Sequence, residues 1–369
     1  MNVLHIISGG EKGGSKNHLL SLAEGLKLRE GIRCIIVCLL NGPLYEEAKA
    51  RGLDIRLIPQ KSRLDLSCID GIKKICQNEN IDIVNCHGGR ANFAGYYLMK
   101  KYKAIYVSTI HSDYKEDYRG NLYKTIVFSN LNKRVLKSFD YYITVSQSFK
   151  DMLVDRGFNP HKIFVVYNGI DFSKAIKKLD RGCIVEEKGL PTAASYVTFV
   201  ARFHPVKGHK VFLDACSMVL KELRDVIFIL VGDGSIRVDL EAYSRELGIS
   251  NRVFFAGFKK PDEYIYISDF TIVASYTESF PLTILESAMY NKTVVSTEVG
   301  GVDKVIEDGV TGYLVKPGDS RAMADKMLTL LNDGTICRRL GESLGYKARK
   351  SFGIDSFLEQ YMLIYNSII

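Results

Sequence analysis

Phe270-Thr271-Ile272-Val273-Ala274 and, one residue later, Tyr276-Thr277-Glu278-Ser279-Phe280-Pro281-Leu282-Thr283-Ile284-Leu285-Glu286 decide how this chain is read. The first run is short, apolar and β-branched, as a strand buried on both faces should be. Pro281 suits the first helical turn, where its missing N–H leaves no bond unmade. Glu278 is therefore expected in a loop and Glu286 in the helix that follows. Backbone amides near Leu282 and Thr283 then form a phosphate-ready helix start. Taken alone, the two glutamates also fit an acidic capping region and a surface side chain.

Working outward, the same alternation recurs along the chain. In the first half, strands are expected at Val3–Ser8, Cys34–Leu39, Ile55–Ile58, Ile81–Cys86, Ile105–Thr109, Tyr142–Val145 and Ile163–Val166. Helices are expected between them, at 15–30, 43–51, 67–78, 90–101, 118–137 and 146–156. The polar stretch Ile176–Pro191 interrupts the pattern, which restarts at Val197–Val200. It continues through Val226–Val231, Arg252–Phe255, Phe270–Ala274, Thr293–Ser296 and Gly312–Val315, and is helical after Ser320. This is an α/β chain with two doubly wound, Rossmann-like domains. The expected division is 1–172, a linker at 173–194, a second domain at 195–350 and a terminal helix at 351–369. Ligands of open α/β sheets bind beyond the carboxyl ends of strands, so two such domains facing each other would enclose a central cleft.

Two loops stand at such ends. Ser8-Gly9-Gly10-Glu11-Lys12-Gly13-Gly14-Ser15-Lys16 follows the first strand and opens a helix. Its glycines let backbone amides approach an anion, or serve only a tight turn. It has neither the Gly-x-Gly-x-x-Gly spacing of a dinucleotide site nor the Gly-Lys-Ser/Thr order of a P-loop. Val200-Ala201-Arg202-Phe203-His204-Pro205-Val206-Lys207-Gly208 places two cations after another strand. A cation at a helix start opposes the helix dipole, and a bound diphosphate would explain it. Two solvated surface cations are the plainer alternative.

The chain of 369 residues has 46% hydrophobic and 25% charged residues, which excludes a disordered segment as its main content. No apolar run approaches the roughly 20 residues that span a bilayer. Met1 leads directly into a strand, so no signal peptide is expected. The eight cysteines form no Cys-x-x-Cys pair and mostly sit in apolar runs, which points to buried free thiols and a cytoplasmic setting. The net charge is +8, and residues 1–170 carry 25 Lys and Arg against 16 Asp and Glu. The excess is densest between Lys100 and Lys137 and suggests an anionic partner.

Glu278 and Glu286 together resemble the Glu-x7-Glu motif of the retaining nucleotide-sugar glycosyltransferases of GT-B architecture ("glycosyl transferases group 1" type). Val299-Gly300-Gly301-Val302, Ile306-Glu307-Asp308-Gly309-Val310-Thr311-Gly312-Tyr313-Leu314-Val315, Arg202…Lys207-Gly208 and Asn168-Gly169-Ile170-Asp171 are similar to that family in kind and order. The resemblance covers nearly the whole chain and is most specific at 197–320.

The resemblance implies site roles. Arg202 and Lys207 would grip the donor diphosphate, Glu286 the ribose, and Glu278 the transferred sugar. Phe280, Leu282 and Thr283 would add backbone contacts, Gly13 and Gly14 would line the phosphate side, and the base would meet backbone near Gly232-Asp233-Gly234 or Gly257-Phe258. His111 matches the family's active-site histidine, although a capping or core histidine remains an alternative. Many relatives have an acid where Lys16 stands. The resemblance also implies a nucleotide sugar as co-substrate and no protein nucleophile; with no Asp-x-Asp motif present, no metal cofactor is expected. The helix over Ser356–Ile369, with Phe357, Tyr361, Ile364 and Ile368 at helical spacing, would cross back onto the first domain.

The family further implies a UDP-sugar donor, transfer of a hexosyl or N-acetylhexosaminyl group, and a glycan or lipid-linked acceptor in cell-surface polysaccharide or glycolipid synthesis. Tyr123, Ile126, Val127, Leu131 and Leu136 could form a peripheral face on an anionic membrane; an ordinary crossover helix would look the same. A GT-B relative that binds nucleotide sugars without transferring them, such as an epimerase, is the first alternative. A nucleic-acid binder is the second, and no aromatic-basic motif supports it.

Overall fold

The computed structural model describes residues 1–11, 13–62, 65–113, 133–175, 180–278 and 280–369. They form two compact units: Met1–Gly169 with Ile354–Ile369, and Ile170–Gly353.

Unit 1 is built on a seven-stranded parallel sheet. Its strands are β1 (Asn2–Ile7), β2 (Arg33–Cys38), β3 (Ile55–Leu57), β4 (Ile83–His87), β5 (Ile105–Ile110), β6 (Tyr141–Thr144) and β7 (Ile163–Val165), in the order β3-β2-β1-β4-β5-β6-β7. Successive side chains of a strand leave on opposite faces, and β1 shows the sorting. Leu4 and Ile6 pack with the helices Cys68–Asn78 and Gly88–Leu98, beside Ile72, Ala91 and Leu98. Val3 and Ile7 face the other way. Val3 meets Leu22, Leu26, Phe357 and Tyr361, from the helices Gly14–Lys27 and Ile354–Ile368.

The terminal helix thus completes unit 1, burying Phe357, Leu358, Tyr361, Ile364, Tyr365 and Ile368. Its fit is close: a Cβ on Gly25 would lie 2.2 Å from Leu358 Cδ1.

Unit 2 is a six-stranded parallel sheet with β8 (Ser195–Val200), β9 (Val226–Val231), β10 (Val253–Gly257), β11 (Phe270–Val273), β12 (Thr293–Thr297) and β13 (Tyr313–Val315) in the order β10-β9-β8-β11-β12-β13. The order reverses between β1 and β4 in unit 1 and between β8 and β11 in unit 2. At such a switch the two following loops part, and a ligand finds room between them.

The stretch expected as a linker, 173–194, contains the helix Arg181–Glu187, whose Asp180 side chain accepts the amide of Cys183. Its Ile184 and Val185, with Leu190, pack against Tyr196, Ile227 and Ile229. Two adjacent apolar residues give no visible period, so the stretch reads as polar even though it seals one sheet face.

Candidate active site

In unit 2 the loop after β8 is tied to those after β11 and β9: Tyr276 N–H donates to the Val206 carbonyl at 2.8 Å, and Phe203 N–H donates to the Asp233 carbonyl at 2.9 Å. Gly208, at φ +70°, passes so near the end of β11 that a Cβ would sit 2.0 Å from the Ala274 carbonyl oxygen. Only glycine fits both the left-handed backbone and that approach.

This geometry brings Lys207 to Glu278. Lys207 lies in the short 3-10 turn Pro205–Lys207, just ahead of the helix His209–Glu222 rather than inside it. Its Nζ is 2.5 Å from Glu278 Oε1, which also accepts the Ser275 hydroxyl at 2.7 Å. Both side chains are mostly shielded, at 22% and 14% exposure. Arg202, earlier in the same loop, is exposed and makes no hydrogen bond or ion pair among the described residues.

Glu286 lies on the helix Leu282–Met289, half-buried and unpaired among the described residues. Burial pushes its carboxyl up to about 7, with the charge of Asp262 adding to the effect. Thr283, also on this helix, donates its hydroxyl to the Val200 carbonyl at 3.4 Å. The Phe280 ring is buried against Phe352 at 5.4 Å. The structure therefore couples Lys207 with Glu278, carries Arg202 on the same loop, and sets Glu286 apart.

In unit 1, Gly9 and Gly42 are fixed by close backbone approach: a Cβ on Gly9 would lie 2.3 Å from the Leu40 carbonyl oxygen. Gly13 and Gly14, at the start of the helix Gly14–Lys27, border open space, and a Cβ added at either would meet nothing within 4 Å. Gly9 N–H donates to Glu11 Oε2 at 2.7 Å, and burial raises the Glu11 carboxyl pKa. Lys16, where relatives were expected to carry an acid, is paired with Glu47.

His111 follows β5, half-buried, and its Nε2 is 2.9 Å from His87 Nδ1. His18 approaches edge-on, ring centroids 4.8 Å apart. His87, His5 and His18 were not singled out in the sequence. A histidine inside the apolar run Val3–Ile7 was the available signal, since a polar group in a buried strand requires a partner.

The basic segment reads differently once placed. Lys100 Nζ sits over the Tyr96 ring at 4.4 Å and Lys101 pairs with Asp70 at 2.7 Å. Leu136 is fully buried in the unit 1 core, so it is not available to a membrane. Tyr123, Ile126, Val127 and Leu131 lie outside the described residues. No helix among the described residues is long and apolar enough to cross a membrane. All eight cysteines are free, and Cys183, contrary to the buried-thiol expectation, is exposed.

Residues 180–351 match the family described as glycosyl transferases group 1, and residues 12–174 match glycosyltransferase family 4. The chain is a glycosyltransferase, its second half matching the group 1 model and its first half the family 4 model. Its architecture is GT-B: HepE of Anabaena, solved with UDP, superposes with a TM-score of 0.86 at 20% identity, covering 100% of both chains. The same protein solved with UDP-glucose gives 0.85. This glycosyltransferase is 28% identical over 309 residues to N-acetyl-alpha-D-glucosaminyl L-malate synthase of Bacillus anthracis, covering 83% of this chain and 80% of the relative. It is 22% identical to an Escherichia coli enzyme named UDP-Gal:alpha-D-GlcNAc-diphosphoundecaprenol alpha-1,3-galactosyltransferase, covering 82% and 80%.

Proposed function

We propose that the enzyme moves a hexosyl or N-acetylhexosaminyl group from a UDP-sugar to a lipid-linked or glycan acceptor, with retention of anomeric configuration and without a metal ion. The observation that carries this is the Lys207–Glu278 pair on the two loops that follow β8 and β11, with the exposed Arg202 on the first of them. Arg202 and Lys207 neutralise the diphosphate as charge grows on the leaving group, the task a metal performs elsewhere. Glu278, released from Lys207, accepts hydroxyls of the sugar. Glu286 accepts those of the ribose, and the backbone of Phe280, Leu282 and Thr283 meets the phosphates. In unit 1, Gly13 and Gly14 leave room for an anion and His111 contacts the reacting sugar.

The leaving phosphate takes the acceptor proton, so the product keeps the donor's anomeric configuration. A UDP-sugar is supported by the nucleotides solved in HepE, and a lipid-linked acceptor by the name of the E. coli relative. Action at the cytoplasmic face of the acceptor's membrane, in cell-surface glycan synthesis, follows from that acceptor.

Thermal stabilisation tests the donor site. UDP at about 100 times its Kd should add roughly 2.7 kcal/mol, GDP, ADP and NAD far less, and Glu286→Ala should abolish the shift. Stabilisation by NAD alone, or by none of these, overturns the reading. Activity that EDTA removes and Mn²⁺ restores overturns metal independence. An inverted anomeric proton signal in the product overturns retention.

A further inference from the structure

Three histidines cross the unit 1 sheet as a staircase. His5 lies in β1, His87 ends β4 and His111 follows β5, and these strands are neighbours. His87 pairs with Ile7, two residues past His5, and with Thr109, two residues before His111. A two-residue step keeps a side chain on the same face, so all three imidazoles line one side. His5 Nδ1 is 2.9 Å from His87 Nε2, and His87 Nδ1 is 2.9 Å from His111 Nε2.

Burial holds all three rings neutral at ordinary pH, with neighbouring histidines adding to the effect. A neutral imidazole has one N–H and one lone pair. His87, bonded on both sides, must donate through one nitrogen and accept through the other. Both links therefore run in the same direction.

The inner end decides which direction. His5 Nε2 is buried and has no partner among the described residues. If the links ran inward from His111, His5 would carry its proton on Nε2, leaving an orphaned N–H in the core. If they run outward, His5 donates from Nδ1, His87 donates from Nδ1, and only a lone pair is orphaned. Orphaned buried N–H groups are the rarer and costlier defect. The outward direction wins.

Its consequence falls on His111. Its Nε2 accepts from His87, so its proton is on Nδ1, which makes no hydrogen bond among the described residues. His18 does not compete for it, because His18 Nδ1 faces Asn168 Oδ1 at 2.5 Å and His18 Nε2 faces the Tyr361 hydroxyl at 2.7 Å.

We propose that His5 and His87 are positioning residues that hold His111 as its Nδ1–H tautomer, so that it presents a hydrogen-bond donor, and not a base, to substrate. The contact with substrate rests on the function proposed above; the tautomer does not. As a fixed donor, His111 hands an N–H to an oxygen of the reacting sugar and takes no proton from the acceptor.

Ring-¹⁵N histidine labelling with long-range ¹H–¹⁵N correlation reads tautomers directly in the full chain. The expected result is Nδ1–H at His5, His87 and His111. Nε2–H at His111 in the unaltered protein overturns the proposal without any variant. In His87→Leu, His111 should lose the fixed tautomer, and kcat should fall at least about tenfold with donor KM unchanged. His87→Asn, whose amide nitrogen can replace Nδ1, should restore both. An unchanged His111 tautomer in His87→Leu overturns the proposal too. Failure of UDP to bind would remove the function proposed above yet leave the tautomer result standing.

Discussion

Lys207 and Glu278 are bound to each other, Nζ to Oε1 at 2.5 Å, across the two loops that follow β8 and β11. The lysine proposed for the diphosphate and the carboxylate proposed for the sugar are thus partners of each other, and a bound donor would exchange one pairing for two. Lys207→Ala removes the cation and leaves a shielded Glu278 with the Ser275 hydroxyl. The expected outcome is a fall in kcat/KM of about 10²-fold or more. Steady-state kinetics check it, and near-normal turnover would free Lys207 from any role at the phosphates.

Glu286 predicts how nucleotide affinity follows pH. Its carboxyl, pushed up to about 7 by burial, is largely protonated below that pH. Ribose hydroxyls donate to the ionised form, so binding must expel a proton under acidic conditions. Kd for UDP should rise about tenfold per pH unit below 7 and level off above it. Calorimetry in buffers of different ionisation enthalpy reads the released proton. Glu286→Gln should remove the dependence, and a slope that survives in it belongs to another group.

The buried histidines of unit 1 predict a stability profile. Burial lowers His5 to about 3 and His18 to about 4, and pushes His87 and His111 well down. The unfolded chain binds these protons near pH 6.5, the folded unit only far lower. Stability is therefore complete above about 6.5 and is lost as pH falls toward 4. Glu286 in unit 2 acts oppositely between its unfolded value and about 7, and so does Glu11 in unit 1, but within unit 1 four histidines stand against that one carboxyl. Urea midpoints from pH 7.5 to 4.5 should fall steadily for unit 1, and a flat profile would show that the rings are not held neutral.

Gly25 and Leu358 set two small effects against each other. Gly25→Ala gains about 1 kcal/mol of helix propensity, yet its methyl would enter the space of Leu358 Cδ1. Overpacking costs typically about 1–3 kcal/mol, so the substitution should destabilise. Adding Leu358→Ala should cost less in the Gly25→Ala background than in the parent protein. Additive costs in chemical denaturation would mean that the helix Ile354–Ile368 moves aside freely.

Much of the fold was legible because parallel strands buried on both faces are written as apolar runs. Val226–Val231 and Phe270–Val273 emerge almost where expected. The helix Arg181–Glu187 was hidden because its buried side amounts to Ile184 and Val185 in a charged stretch. Within the site, Glu278 and Glu286 could be named from spacing, while the ion pair to Lys207 depends on two loops 71 residues apart. The histidine staircase was less visible still. Its members come from β1, β4 and the residue just past β5, and only the register places His5, His87 and His111 together.

Unit 1 is discontinuous, being assembled from Met1–Gly169 and Ile354–Ile369 with all of unit 2 between them. During synthesis, the helix that covers Val3, Ile83, Val107 and Ile143 is made only after unit 2. At about 5–20 residues per second, that wait is on the order of ten to forty seconds. For that interval the nascent first unit carries an open apolar face and a His18 without its Tyr361 partner. The second unit in the sequence thus has all of its residues before the first does, and the first closes its core only with a segment made last of the two.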